Sequence, residues 1–323
     1  MLAHPRATLY HSWRWSEFAG AVFGFRVHRL TVADAAGGIA GLLPLVEQRS
    51  RVSGNRLVSL PYFNYGGALG TSEQQERELM ERACELARAR RIAQLELRDA
   101  IPRPGLPVRS DKASVELVLP SSAEELSRSL DAKLRSQVRR ADREAPEVTV
   151  GGAELVEAFY AVFSANMRDL GTPVYPRRFF VELVRQFAAD CGIVLVRLRG
   201  RPAAAALLTH FRDRTEIPWA ASLREHRATS VNMRLYWECL AHAIGRGSRV
   251  FDFGRSTLDS GTYRFKLQWG GRPRTLHWVY PLAASAPPAG HGRLAEVARR
   301  VWSRLPLPIA NRLGPWISPG LPW

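Results

Sequence analysis

Apolar and polar positions along this chain follow two periods, one close to 2 and one close to 3.6. Runs with strand character fall at 25–33, 38–48 and 56–63, with a turn at Gly37-Gly38. Between 72 and 91, Leu79, Ala83, Leu86 and Ala87 form a helical stripe, and Thr71 or Ser72 is placed to cap it. Residues 92–98 and 113–119 read as strands. PSSAEEL (120–126) opens a helix with a capping pattern, and 131–144 continues as a very basic helix. The second half repeats the order: helices at 153–169 and 176–190, then strands at 192–199, 203–211 and 215–222. A helix at 230–245, a buried strand VFDF (250–253) and a last strand at 275–282 follow. Tyr263, Phe265, Leu267 and Trp269 alternate with Arg264, Lys266 and Gln268. That period predicts a half-buried strand with Arg264 and Lys266 on one face.

Strand-strand-strand-helix-strand-strand is the order of an acetyltransferase-type sheet, and the first half shows a comparable order. The expected fold is therefore α/β (α+β), two copies of one domain with mixed sheets flanked by helices. A length of 323 residues is comfortable for two domains. The boundaries read as 1–150, 151–285 and a tail, 286–323, after the small-residue linker AASAPPAGH (283–291). In the tail, Trp302, Leu305, Ile309, Leu313 and Trp316 form an apolar series interrupted by Pro306 and Pro308. It is expected to dock back on the first domain. With Arg299, Arg300, Arg304 and Arg312 beside it, the same series also suits an anionic membrane surface.

Charge narrows the partners. The balance of 46 Lys+Arg against 30 Asp+Glu gives +16, which favours phosphates, nucleic acid or anionic membrane. Arginine supplies nearly all of it. Lysine occurs only at 112, 133 and 266, so Lys266 stands out. Cys84, Cys191 and Cys239 lie far apart, and their odd number argues against a disulfide framework and for a reducing compartment. The N-terminal stretch lacks the apolar core of a signal peptide, and no run reaches the ~20 apolar residues of a membrane span. A cytoplasmic protein is expected, with the inner membrane as a peripheral contact.

Standard sites are absent. There is no H-E-x-x-H, no paired Cys/His ligand spacing, no P-loop, no G-x-G-x-x-G opening a helix and no G-x-S-x-G elbow. No metal is expected, and His210 and His277 read as sheet residues. Anion-directed and aromatic features remain. Arg135, Arg139 and Arg143 repeat every four residues beside Lys133 and Arg140, which makes either a phosphate or nucleic-acid contact or a solvated basic face. PYFNYGG (61–67) offers Tyr62, Asn64 and Tyr65 beside Gly66-Gly67, either to a ligand or as an aromatic turn capping the core. The stretch 251–271 gathers Asp252, Arg255, Tyr263, Arg264 and Lys266 near four glycines. Its plain alternative is an exposed basic strand with a Gly-rich turn.

LPYFNYGG (60–67), AKLRSQVRRADRE (132–144) and FDFGRST…GTYRFKLQWGG (251–271), in this order, resemble the FemAB family of aminoacyl- or acyltransferases. RLPLPIANRLGPWIS (304–318) is similar to the branch associated with PEP-CTERM/exosortase loci, and the resemblance covers nearly the whole chain. It implies two tandem GNAT-type domains and transfer of an acyl or aminoacyl group to an amine of a phosphate-bearing cell-envelope or exopolysaccharide precursor. In peptidoglycan-bridge members the donor is aminoacyl-tRNA, and their phosphate-binding lysine would fall on Lys266. The long helical arm of tRNA-using members has no counterpart here. Residues 220–230, AASLREHRATS, occupy the loop where a GNAT protein binds CoA pyrophosphate, without the glycine-rich signature. No tightly bound cofactor is implied. The donor is acyl-CoA or another thioester, an acyl carrier, or aminoacyl-tRNA. Asp252 and Lys266 are the expected catalytic residues, Asp252 taking the amine proton or bracing Arg255. Arg255, Tyr263, Arg264, Tyr62, Asn64, Tyr65, Arg135 and Arg139 are the expected substrate-binding residues, the tyrosines and Asn64 lining a cleft between domains. Two other classes fit the composition: a CoA-dependent N-acyltransferase on a small molecule or sugar, and a non-enzymatic basic protein for nucleic acid or membrane.

Overall fold

A computed structural model describes residues 2–50, 54–287 and 292–321. In chain order its elements begin with α1 (Trp13–Phe23), β1 (Arg26–Ala33), β2 (Ile39–Gln48), β3 (Arg56–Val58) and β4 (Leu69–Gly70). Next come α2 (Glu73–Ala89), β5 (Gln94–Asp99), β6 (Val108–Arg109), β7 (Lys112–Val118), α3 (Ala123–Ser129) and α4 (Ala132–Asp142). β8 (Glu147–Gly151), α5 (Val156–Asp169) and α6 (Arg177–Gln186) lead into β9 (Cys191–Leu198), β10 (Arg201–Phe211) and β11 (Arg214–Ser222). The chain continues with α7 (Val231–Gly245), β12 (Val250–Thr257), α8 (Gly261–Leu267), β13 (Arg272–Thr275) and β14 (His277–Val279). It ends in α9 (Arg293–Trp302) and α10 (Leu307–Ile317).

The described residues divide into two compact units, 2–113 with 275–287 and 319–321, and 114–274 with 292–318. The boundary lies at 113/114 instead of 150, and the first unit takes back a strand from beyond 274. Its sheet runs β1-β2-β3-β5-β14-β6, with β4 on β2. β1, β2 and β3 pair antiparallel, α2 intervenes, and β5 returns parallel to β3. The second unit's sheet runs β13-β7-β12-β11-β10-β9-β8. Here β9, β10 and β11 pair antiparallel, α7 intervenes, and β12 returns parallel to β11. The same succession in both units is the doubling expected from the sequence.

Leu79, Ala83 and Ala87 carry the apolar stripe of α2 into the first core, against Leu43, Leu45, Leu57, Leu95 and Leu97. In the second unit, β10 is a run of alanine and leucine. Ala204, Ala206 and Leu208 belong to the core that includes Leu235, Cys239 and Leu240 of α7. Ala205 and Leu207 alternate to the opposite face. Small side chains on both faces let α5 and α7 pack closely on this strand.

Three sequence expectations change. The run 56–63 is strand only to Val58, because Leu60 (φ 52°) and Tyr62 (φ 76°) leave the extended region. Residues 261–267 are a helix, not a strand. Ser260 caps it by accepting from the Tyr263 amide at 3.1 Å, and Phe265 and Trp269, four apart, pack around Tyr236 of α7. The tail helices α9 and α10 group with the second unit, and only 319–321 group with the first. The physical reason lies in two small residues. Ala310 and Gly314 are buried, and a Cβ on Gly314 would lie 2.9 Å from the Val174 amide nitrogen. Asn311 donates to Ser164 Oγ (3.3 Å), and Arg168 donates to the Leu305 carbonyl (3.0 Å). Residues 288–291 of the expected linker lie outside the described residues.

Candidate functional site

The parallel ladder between β11 and β12 registers Arg214 with Val250, Thr215 with Phe251 and Glu216 with Asp252. At Gly254 the strand turns with φ 69°, and a Cβ there would sit 2.9 Å from the Ile217 carbonyl oxygen. Only glycine meets both demands. The Gly254 amide donates back to Asp252 Oδ1 at 2.8 Å, and Ser114 Oγ of β7 donates to the same oxygen. Arg214 lies 3.9 Å from Asp252 Oδ2. Asp252 has no exposed surface.

The turn directs two carbonyls at one amine. Lys266 Nζ, on α8, donates to the Gly254 oxygen at 2.8 Å and to the Arg255 oxygen at 3.0 Å. The side chain is 4% exposed. Burial pushes its ammonium down to about 7, with Asp252 and Glu216 opposing the shift and Arg255 adding to it. Asp252, Glu216 and Lys266 thus form a buried charged group at the end of the ladder, with the half-buried Arg255 beside it. Substituting Gly254 with alanine should destabilise the protein by roughly 1–3 kcal/mol, because it forces a left-handed non-glycine residue against Ile217. An unchanged midpoint in urea would show that the turn relaxes freely.

The expected site residues fall into separate places. Arg264 is exposed while Lys266 is buried, two positions away on a helix, so they do not share a face. Tyr263 is half-buried and packs against the second core. Arg135 donates to the Leu130 carbonyl. Arg135 and Arg139 line a cleft of about 220 Å³ with Leu130, Val138 and Trp237. Its Arg234 is occupied by Asp142 (2.5 Å) and Glu238 (2.7 Å). In the first unit Tyr62, Asn64 and Tyr65 are buried. Tyr62 stacks on Phe23, Phe63 stacks on Tyr10, and Arg98 holds the Phe63 carbonyl at 2.8 Å. The loop is built into that unit's core, which is the packing alternative for PYFNYGG.

Sequence reasoning missed Ser114, Glu216 and Ser256. Ser256 is 5% exposed, and its Oγ has no hydrogen-bond partner among the described residues. For Ser256 the four polar letters of β12 (Asp252, Arg255, Ser256 and Thr257) were the available signal, since a buried strand seldom carries so many.

The two units differ where their crossover helices begin. α2 is closed to anions: Ser72 and Gln75 form a capping box, and Glu73 and Glu76 occupy the first turn. α7 starts at Ser230 (φ 59°) with no side-chain cap and no acid in its first turn. Arg224 and Arg227, both exposed, lead into it and form no ion pair among the described residues. Uncapped amides beside arginines favour an anion.

Residues 128–267 match the family described as acetyltransferase (GNAT) domain. No curated protein matches the sequence. A crystal structure of FemX is similar in fold, with a TM-score of 0.65 at 14% identity over 87% of this chain and 94% of that one. The L-PGS structure from Bacillus licheniformis gives 0.55 at 12% identity over 86% and 90%. The C-terminal domain of a putative lysylphosphatidylglycerol synthetase from Agrobacterium fabrum gives 0.55 at 12% identity over 84% and 86%. The matched segment, residues 128–267, holds α4, the β11–α7–β12 crossover and Lys266, so this part of the second unit matches a GNAT acetyltransferase domain and the chain is an enzyme of the acyl-transferring kind.

Proposed function

We propose that this chain is a FemAB-like transferase that moves an acyl or aminoacyl group onto an amine of a phosphate-bearing cell-envelope or exopolysaccharide precursor. The contrast between the two crossover helices carries the reading. Of these two helices it is α7 that begins uncapped, free of acid in its first turn and preceded by the exposed Arg224 and Arg227, and it does so inside the segment that matches the GNAT domain. A thioester of coenzyme A and an aminoacyl-tRNA both carry phosphates on the same molecule as the reactive carbonyl, at the far end of the pantetheine arm in the first and on the terminal nucleotide in the second. The fold likeness to FemX and to the lysylphosphatidylglycerol synthetase domain supports the same class.

In this reading the donor's phosphate rests on the α7 amides, Arg224 and Arg227. Its carbonyl lies along β12, near the Gly254 turn. The acceptor amine attacks that carbonyl, the C–N bond forms, the thiolate or ribose oxygen leaves, and the amine proton goes to the leaving group or to solvent. Alignment of donor and amine supplies most of the rate. Asp252 and Lys266 act as positioning groups that hold the turn, because both are buried and bonded to main-chain or Ser114 atoms. Arg255, half-buried at the end of β12, faces the acceptor's anionic group.

Isothermal titration of the full chain with coenzyme A and with tRNA tests the donor site. One of the two should bind, and Arg224→Ala with Arg227→Ala should weaken it about tenfold or more. Arg77→Ala, on the first turns of the capped α2, should leave it unchanged. Equal affinity in all three proteins sinks the assignment of α7.

A further inference from the structure

We infer that α9 and α10 form a docking surface for an anionic lipid bilayer. This inference does not depend on the transferase reading. The buried side of α10, Ala310 and Gly314, faces its own unit. Ile309, Leu313, Trp316 and Ile317 follow at spacings of four, three and one, which places them on a single helical face. That face is open: Ile309 is 46% exposed, Leu313 44%, Ile317 41% and Trp316 84%. On α9, Val297 and Val301 are also exposed, and helical spacing sets them beside Arg293 and Arg300.

Charge decides the occupant. Between 293 and 318 the chain carries five arginines (293, 299, 300, 304 and 312) and one acid, Glu296. α10 has no acidic residue. A protein partner would need its own matching acidic and apolar patch. A bilayer with anionic headgroups offers both at once: apolar side chains enter the acyl boundary, arginines stay among the headgroups, and an exposed tryptophan suits the interface. No helix among the described residues is long and apolar enough to cross a membrane, so the contact is lateral, in the plane of the surface.

The full chain should co-sediment with phosphatidylcholine vesicles containing phosphatidylglycerol and much less with phosphatidylcholine alone. Added salt should weaken the binding. Leu313→Ser with Trp316→Ser should lower partitioning at least tenfold. Both positions are exposed, so the melting curve should stay put and serve as the folding control. Brominated lipid should quench tryptophan fluorescence in the unaltered chain, and far less in Trp316→Phe. Absence of binding to anionic vesicles, or equal binding by the double variant, overturns the inference. So does concentration-dependent dimerisation that the same substitutions abolish, since it would give this face to a second copy.

Discussion

Replacing Lys266 with methionine should remove a rise in folding stability of up to ~5 kcal/mol between about pH 7 and pH 10.5. Burial lowers the amine's affinity for its proton in the folded protein, so the group discharges near 7 there. The unfolded chain keeps that proton to about 10.5. Below 7 both states carry the charge, and folding bears the full cost of burying it. Between the two values the unfolded state binds more protons, so stability climbs with pH. Methionine fills a similar volume and cannot titrate. Urea unfolding of both proteins near neutral pH and near pH 10 should show the unaltered chain gaining on the variant. Parallel changes in the two would mean that Lys266 is as readily charged when folded as when unfolded.

Asp252→Ala should be the most damaging single substitution in the second unit, costing about 3–5 kcal/mol. The carboxylate is fully buried and accepts from Ser114 Oγ and the Gly254 amide. Removing it strands both donors and leaves Arg214, Arg255 and Lys266 with less compensating negative charge. Asp252→Asn can keep an oxygen for both donors but loses the charge and turns its NH2 toward Arg214, so it should lie between the unaltered chain and Asp252→Ala. Because Asp252 positions the turn, its loss should reduce turnover and donor affinity together, along with the melting temperature. A stable Asn variant that lost turnover alone would restore the role of proton acceptor.

Periodicity made most of the architecture legible. The stripe on α2, the alanine-rich β10 and the repeated strand-helix order each depend on local patterning, and each element stands close to where the pattern put it. The sheets' borrowed strands were not legible. β14 pairs with β5, about 180 residues away along the chain, and nothing local encodes such a partner. Residues 261–267 misled because aromatic residues at every second position also satisfy a helix when Phe265 and Trp269 pack four apart. The cue that decides between them is the N-cap Ser260. Lys266 was found by rarity, and the two carbonyls that hold its amine were not legible, because the turn that aims them forms only in the folded sheet. PYFNYGG looked like a ligand loop because glycine and tyrosine serve binding and packing equally well. Only three-dimensional burial separates the two.

Amide formation tests the central claim most directly. The purified chain should be incubated with acyl-coenzyme A or aminoacyl-tRNA and a phosphorylated amino-sugar or muropeptide precursor, and the products read by mass spectrometry. The account predicts a new amide whose mass equals acceptor plus acyl or aminoacyl group, formed far more slowly by the Arg224→Ala/Arg227→Ala protein. No amide from any of these donors, with the chain folded and the donors intact, would contradict it.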